Sequence, residues 1–439
     1  MNKLVKALAA VTLGSIVVCG AAACSKDKGN VDKEGNTIVK ILVHVDENTP
    51  EGQAYKKRVD AFNTSYRDKK IKASISFKAR SSGAGGYEDT ITQKFKKGTL
   101  DDIIAFDSPN CAAYANSKIL YDSTDLVDAA TKADFYESSL NVYENKLYGL
   151  PIQESSAGFY YNKRIFNEVG IDVSGYTVEN PWTFEQFNSV CQRLKDAGKK
   201  PLSMQLDNIK DETATYLLYP FVYASGGSFN DSTGYTAKGY FDSEASKKGY
   251  EFLYNLVQKG YTDSTVKDSD FFAGNAGMLL SSGWTIPDIE IKYQANLGND
   301  WGILPYPKGV TVASAMGSWS FGITNNGVKD KSAAKELLLW MTSPESSKII
   351  TDATGMIPAR KSVATNYEAG SPRDVLMKQL ASSGKARPAT PAYPTFTASF
   401  CNVAYAIADK NTKLADLNSK IATAADSVQA EMDRIKNRH

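Results

Sequence analysis

Histidine, cysteine and serine carry most nucleophilic and metal chemistry, and this chain is poor in the first two. Only two of its 439 residues are histidines, His44 and the terminal His439. That argues against a histidine-based triad and against a histidine metal site. The spacings H-E-x-x-H, G-x-S-x-G, the P-loop and G-x-G-x-x-G are all absent from the sequence. Carboxylates number 49, so composition is compatible with a two-carboxylate glycosidase, but no pair stands out from a solvated surface. The residue types fit a binder better than a catalyst.

Polar groups concentrate in the stretch L-Y-G-L-P-I-Q-E-S-S-A-G-F-Y-Y-N-K, Leu147–Lys163. Two apolar runs, Leu147–Ile152 and Phe159–Tyr161, flank the polar patch Gln153–Ser156. Gly149, Pro151 and Gly158 interrupt it, so it predicts extended chain rather than helix. A polar binding site and the tip of a surface hairpin both fit these residues. The glycine-rich Ser81–Gly86 lacks phosphate-loop spacing and reads as a flexible loop.

The N-terminus has a chemistry of its own. Lys3 and Lys6 precede an apolar run from Ala7 to Ala23, which ends Ala21-Ala22-Ala23-Cys24. A basic start, a short apolar stretch and small residues before the cut describe a secretory signal over residues 1–23. The run is short for a membrane span. Cys directly after small residues resembles a bacterial lipobox, with Cys24 as the lipidated residue; Cys19 follows the bulkier Val18. Cleavage removes Lys3 and Lys6 from a formal charge of +2, leaving about 0. Residues 24–36 are polar and charged and read as a tether. Cys111, Cys191 and Cys401 contain no C-x-x-C pair and are expected as buried thiols. Such a charge gives no reason to expect nucleic acid, and no cofactor or metal is expected.

The elements that position these groups follow from periodicity. Thr37–Val45 is a strand by β-branched content, and Thr49-Pro50 opens a helix with Tyr55, Val59, Phe62 and Tyr66 on one face. Ile71–Ala79 alternates as a half-exposed strand, and Tyr87, Ile91 and Phe95 mark a helix that closes at Gly98. Asp102–Phe106 is a short buried strand, and Ala112–Ser117 begins a further helix. This alternation points to an α/β sheet with parallel neighbours. Over Trp182–Gly198, Thr183 and Gln186 form a capping box, Trp182 and Phe187 a staple, and Gly198 the stop, which makes Trp182 structural. Ser243–Gly260, Asp330–Met341, Pro344–Asp352 and the amphipathic Lys413–Arg438 read as helices. Phe271–Trp284 reads as a helical turn, a strand over Ala276–Ser281, and a loop.

Taken in order, several segments resemble the extracellular solute-binding proteins of ABC importers, in their oligosaccharide-binding, maltose-binding-protein-like branch. They are D-D-I-I-A-F-D-S-P-N-C-A-A-Y-A-N-S-K-I-L (101–120), Leu147–Lys163, P-W-T-F-E-Q-F (181–187), A-G-N-A-G-M-L-L-S-S-G-W (273–284), W-G-I-L-P-Y-P-K-G (301–309), G-S-W-S-F-G-I-T (317–324) and K-S-A-A-K-E-L-L-L-W-M-T-S-P-E (331–345). Their order and spacing cover nearly the whole mature chain.

The resemblance implies an α/β, two-lobe periplasmic-binding-protein fold of type II with a hinge and a central ligand cleft. It implies a first lobe of residues 37–152 and 318–362 and a second of 153–317 and 363–439. Leu147–Lys163 then crosses between lobes, the chain returns near Tyr306–Gly322, and Gln153 and Glu154 become cleft wall. The same resemblance implies an aromatic platform at Trp284, a hinge aromatic at Trp319, and a first-lobe aromatic at Phe106. Asp107 and Asn110 follow Phe106 as hydroxyl partners, although a turn or helix cap explains them equally. Tyr393 and Phe396 are late cleft aromatics, and Asp46 and Glu47, after the first strand, are further polar contacts. Trp301 and Trp340 are packing residues. Aromatic planes cover sugar C–H faces while carboxylates and amides bond the hydroxyl rim. The implied partners are an oligosaccharide, the permease subunits and, through the N-terminal lipid, the membrane; the protein itself is a monomer. The alternatives are another solute on the same fold and a surface glycosidase.

Overall fold

A computed structural model describes residues 31–81, 85–207, 209, 212–317, 319–327, 331–363 and 365–438. The expected signal peptide, Cys24 and the first part of the expected tether lie outside the described residues, as do residues 82–84 of the expected Ser81–Gly86 loop and Asp330 of the expected helix.

Strands β1 (Thr37–Val43), β2 (Ile71–Phe77) and β3 (Ile103–Asp107) pair in parallel, as their helical crossovers require. They sit in a sheet of order β2-β1-β3-β11-β5-β4, completed by β4 (Asn141–Tyr143), β5 (Lys146–Pro151) and β11 (Trp319–Ile323). A second sheet has the order β7-β8-β6-β9, from β6 (Ala157–Asn162), β7 (Lys200–Ser203), β8 (Ala276–Ser282) and β9 (Trp301–Leu304). Each sheet has its own core, the first around Val39, Ile103, Leu150 and Phe321, the second around Phe159, Leu202, Met278 and Leu280. Separate cores under separate sheets make two lobes. A short pair, β10 (Ser314–Met316) and β12 (Gly384–Ala386), lies beside the second lobe.

Three segments cross between the lobes. Residues 152–156 join β5 to β6; residues 305–318 join β9 to β11 by way of β10; residues 355–371 join the helix Pro344–Thr354 to the helix Pro372–Ser383. The first and third pair with each other: Glu154 and Ile357 exchange backbone hydrogen bonds of 2.7 and 3.0 Å.

Local signals explain the helices that present the site. Thr49 Oγ1 accepts from the Gly52 amide and Pro50 takes the first helical position of Pro50–Ser65. The capping box at Phe184–Asp196 is formed by Thr183 and Gln186 at 2.8 and 3.1 Å, with Trp182 buried beside it. Two expectations need correction. Trp284 leads into a further helix, Thr285–Ile291, and not only a loop. Cys111 and Cys191 are buried, but Cys401 is half-buried, 3.5 Å from Thr215 Oγ1. Three helices carried no strong periodicity and were not anticipated: the apolar Glu212–Ala224 and Tyr393–Ala408, and the more polar Pro372–Ser383.

Candidate functional site

Parallel strands leave a crevice at their carboxyl ends. Here β1 ends beside His44 and β3 ends at Asp107, which pairs with Trp319 at the start of β11. The crossing segment 152–156 passes alongside. Its alternation sends Gln153 and Ser155 to the crevice. From the other lobe come Glu212, Tyr216 and Trp284, together with Arg387 just after β12. Together they enclose a cavity of about 130 Å³, which shares Arg80 and Glu212 with an outer groove of about 400 Å³.

Charge dominates the inner cavity. Arg387 is fully buried and places Nη1 and Nη2 2.9 and 2.6 Å from the two oxygens of Asp107; Nη1 also reaches Glu212 Oε1 at 2.7 Å. Arg80 Nη2 lies 3.3 Å from Asp107 and 2.8 Å from Glu88. Burial works against charge on Arg80, but Asp107 and Glu88 outweigh it and raise its pKa. Glu212 also accepts from the Tyr393 hydroxyl and from Thr397 Oγ1 at 2.5 Å. Buried ions persist because each is paired.

Glu51 sits at the far wall without an arginine. Burial pushes it up to about 7, although the Tyr55 hydroxyl, which donates to it at 2.5 Å, pulls the other way. His44 Nε2 lies 3.7 Å from Glu51, but burial and then Arg80 hold the imidazole pKa far below its usual value, so it is neutral. Its ring stacks on Trp319 with centroids 3.4 Å apart. Trp284 is 37% exposed, 5.7 Å from the Tyr216 ring. Ser155 Oγ bonds the Tyr216 hydroxyl at 2.6 Å, and Gln153 Oε1 accepts from Thr354 Oγ1 at 2.9 Å. The arrangement offers donors, acceptors, both charges and one exposed indole. Among the described residues no group of three or more His, Cys, Asp and Glu could hold a metal ion.

Of the residues expected at a site, Trp284, Gln153, Asp107 and Trp319 line the inner cavity, and Asn110 and Tyr393 line the outer groove. Tyr393 contributes its hydroxyl end, since the residue is otherwise buried.

Five residues are placed elsewhere. The Phe106 ring is buried against Tyr114, close enough to Gly149 and Gly322 that a Cβ on either would sit 2.6 or 2.9 Å from it. Phe396 packs on Phe229 and Phe241 in the second core; on its helix Tyr393 and Thr397 take the groove face, and Phe396 and Phe400 the core face. Glu154 points away from the crevice because its neighbours Gln153 and Ser155 point into it. Asp46 and Glu47 are exposed in the turn before Pro50–Ser65, where Asp46 O accepts from Thr49 Oγ1 and Glu47 O from Gln53 Nε2. Sequence reasoning missed Arg80, Arg387, Glu212, Tyr216 and Glu51. None stands in a recognisable spacing, and Arg387 meets Asp107 across 280 positions.

Comparison with known proteins gives this geometry a family. A galactooligosaccharide-binding protein of Bacillus subtilis (strain 168) is 26% identical over 242 residues, covering 51% of this chain and 52% of its own. A probable amino-acid ABC transporter periplasmic-binding protein, y4oP, of Sinorhizobium fredii (strain NBRC 101917 / NGR234) is 27% identical over 274 residues, covering 59% and 58%. The chain thus spans little more than half the length of these curated relatives. Among solved structures, the cyclic alpha-maltosyl-1,6-maltose binding protein of Arthrobacter globiformis superposes with a TM-score of 0.74 at 20% identity, covering 91% of this chain and all of that one. Maltose-bound MalE3 of T. maritima gives 0.73 at 20%, covering 89% and 99%. At such identity these two show the fold: two α/β lobes about a cleft. The model of the family described as bacterial extracellular solute-binding protein matches residues 57–379, well over half of the sequence, and the chain belongs to that family.

Proposed function

We propose that the protein is the receptor of an ABC importer, capturing a sugar, in our reading an oligosaccharide, by cleft closure and handing it unchanged to the permease. The single observation that carries this is the crevice between the lobes. It sets one exposed indole, Trp284, beside a rim of amide, hydroxyl and carboxylate groups from Gln153, Tyr216, Thr354, Asp107 and Glu51. Such a set suits a ring with apolar faces and a hydroxyl edge. The names of the Bacillus relative and of the structural neighbours support it.

In this reading the lobes are residues 37–152 with 318–362, and 153–317 with 363–439. The mature protein starts at lipidated Cys24, which holds a monomer at the extracellular face of the cell membrane by lipid. Among the described residues no helix is long and apolar enough to cross a membrane. A second reading, a charged small solute, is favoured by the two arginines and three carboxylates lining the inner cavity and by the name of the Sinorhizobium relative.

Titration calorimetry with a panel of mono- and oligosaccharides, with amino acids and polyamines alongside, tests both. Saturable heat with a sugar, and chromatographic recovery of that sugar intact, supports the first. Heat with only the charged solutes selects the second. Sugar fragments that accumulate in proportion to protein mean a glycosidase.

A further inference from the structure

The crossing segment 152–156 has a second face. While Gln153 and Ser155 look into the cleft, Glu154 lines a separate cavity of about 170 Å³ behind it. Both lobes build this cavity. Ser108 and Ala112 come from the first lobe, and Ala386 and Arg387 follow or end β12 of the second. Ser138 and Val142, both exposed, stand at its mouth.

Two buried polar atoms belong to residues on this wall and lack partners among the described residues. Glu154 is 3% exposed and its Oε2 makes no hydrogen bond; Arg387 Nε is in the same condition. Buried polar atoms are nearly always satisfied, so orphans beside a cavity point to something that completes them. The cavity is several times the roughly 30 Å³ that one water occupies in the liquid.

The groups present also define what fits. Burial pushes the Glu154 carboxyl up to about 8, against the Gly317 and Ser155 amides and Arg387, so it is largely neutral at pH 7. The Arg387 charge is already answered by Asp107 and Glu212. A hydroxyl accepts from an N–H and donates to a carboxyl oxygen, and therefore complements both orphans without bringing charge. Pro109, Leu140 and Met316 give the same cavity apolar wall for C–H groups.

We propose that the hinge-side cavity is a second binding site, distinct from the cleft, that takes a small uncharged polyol the size of erythritol or a pentitol. The site takes it whichever solute the cleft carries, in the closed arrangement in which both lobes line it.

Calorimetric titration of erythritol and xylitol into the full chain tests it. Wild type and Trp284→Ala should bind one of these polyols equally. Glu154→Leu and Ser138→Trp, the second of which blocks the mouth from an exposed position, should each weaken binding about tenfold or more. Polyol binding that disappears in Trp284→Ala and persists in Ser138→Trp belongs to the cleft and overturns the proposal. So does the absence of binding by either polyol to the wild type, which leaves the cavity to water.

Discussion

Arg387 holds both oxygens of Asp107 through its two terminal nitrogens, and the two residues stand on opposite lobes. Asp107 ends β3 of the first sheet; Arg387 follows β12 beside the second. Bidentate pairing fixes direction as well as distance, so the contact is made only when the lobes are together. Neither ion is stranded on opening, because Arg387 keeps Glu212 on its own lobe and Asp107 keeps Arg80. The pair is thus a contact that closure can make and break.

Removing Arg387 should release that contact. Truncating one partner of a buried pair costs on the order of 3 kcal/mol, and the remaining Arg80 reduces this. Arg387→Met should give a larger radius of gyration without ligand in small-angle scattering and weaker ligand binding. An unchanged radius in the mutant would mean that the pair does not hold the lobes.

Trp284 is the most exposed aromatic of the inner cavity, with 37% of its surface left open for a ligand to cover. Truncating a stacked anchor costs about 2 kcal/mol, roughly thirtyfold in affinity. Trp284→Ala should therefore lose at least that much affinity for the sugar found by calorimetry, with its ligand-free melting temperature near that of wild type. A lowered melting temperature with unchanged affinity would make the ring a packing group.

What the sequence disclosed was what is local. Thr183 and Gln186 sit three positions apart, and their reciprocal bonds need nothing from the rest of the chain. The parallel strands β1, β2 and β3 showed in β-branched runs separated by helical patterns. The parity of single residues did not show. Phe106 and Asp107 are neighbours, yet one packs in a core and the other lines the cleft; Gln153 lines the cleft while its neighbour Glu154 lines the cavity behind it. One position of strand phase decides which, and the run Gln153–Ser156 is polar throughout, so no pattern of alternation marks its phase. Arg387 and Glu212 escaped for another reason. Their meaning lies in pairing across 175 and 280 positions, which no spacing rule contains.

The proposed anchoring through Cys24 rests on chemistry at one residue. Thioether attachment of lipid needs the thiol, so Cys24→Ser should leave the precursor uncut or release the protein to the medium. Fractionation and intact-mass measurement read both outcomes. A processed, membrane-bound serine variant would rule out the lipobox.

Stability should fall as pH rises from about 6.5 to about 8, and two buried carboxyls are the reason. Glu51 and Glu154 are raised by burial from 4.5 to about 7 and about 8. Over the range between those values and 4.5 the folded chain keeps protons that the unfolded chain has released. Folding is therefore favoured at the acid end and loses that advantage as each group ionises. His44 works in the opposite sense below its ordinary 6.5, because its buried imidazole stays neutral while the unfolded one takes a proton. Above 6.5 that contribution has ended, and the carboxyls act without it. Melting temperature measured at constant ionic strength should therefore decline across this window. Glu154→Gln should flatten the upper part of the decline and Glu51→Gln the lower part. A rising melting temperature in the wild type, or an identical slope in both variants, would show that these carboxyls are already ionised in the folded protein at neutral pH.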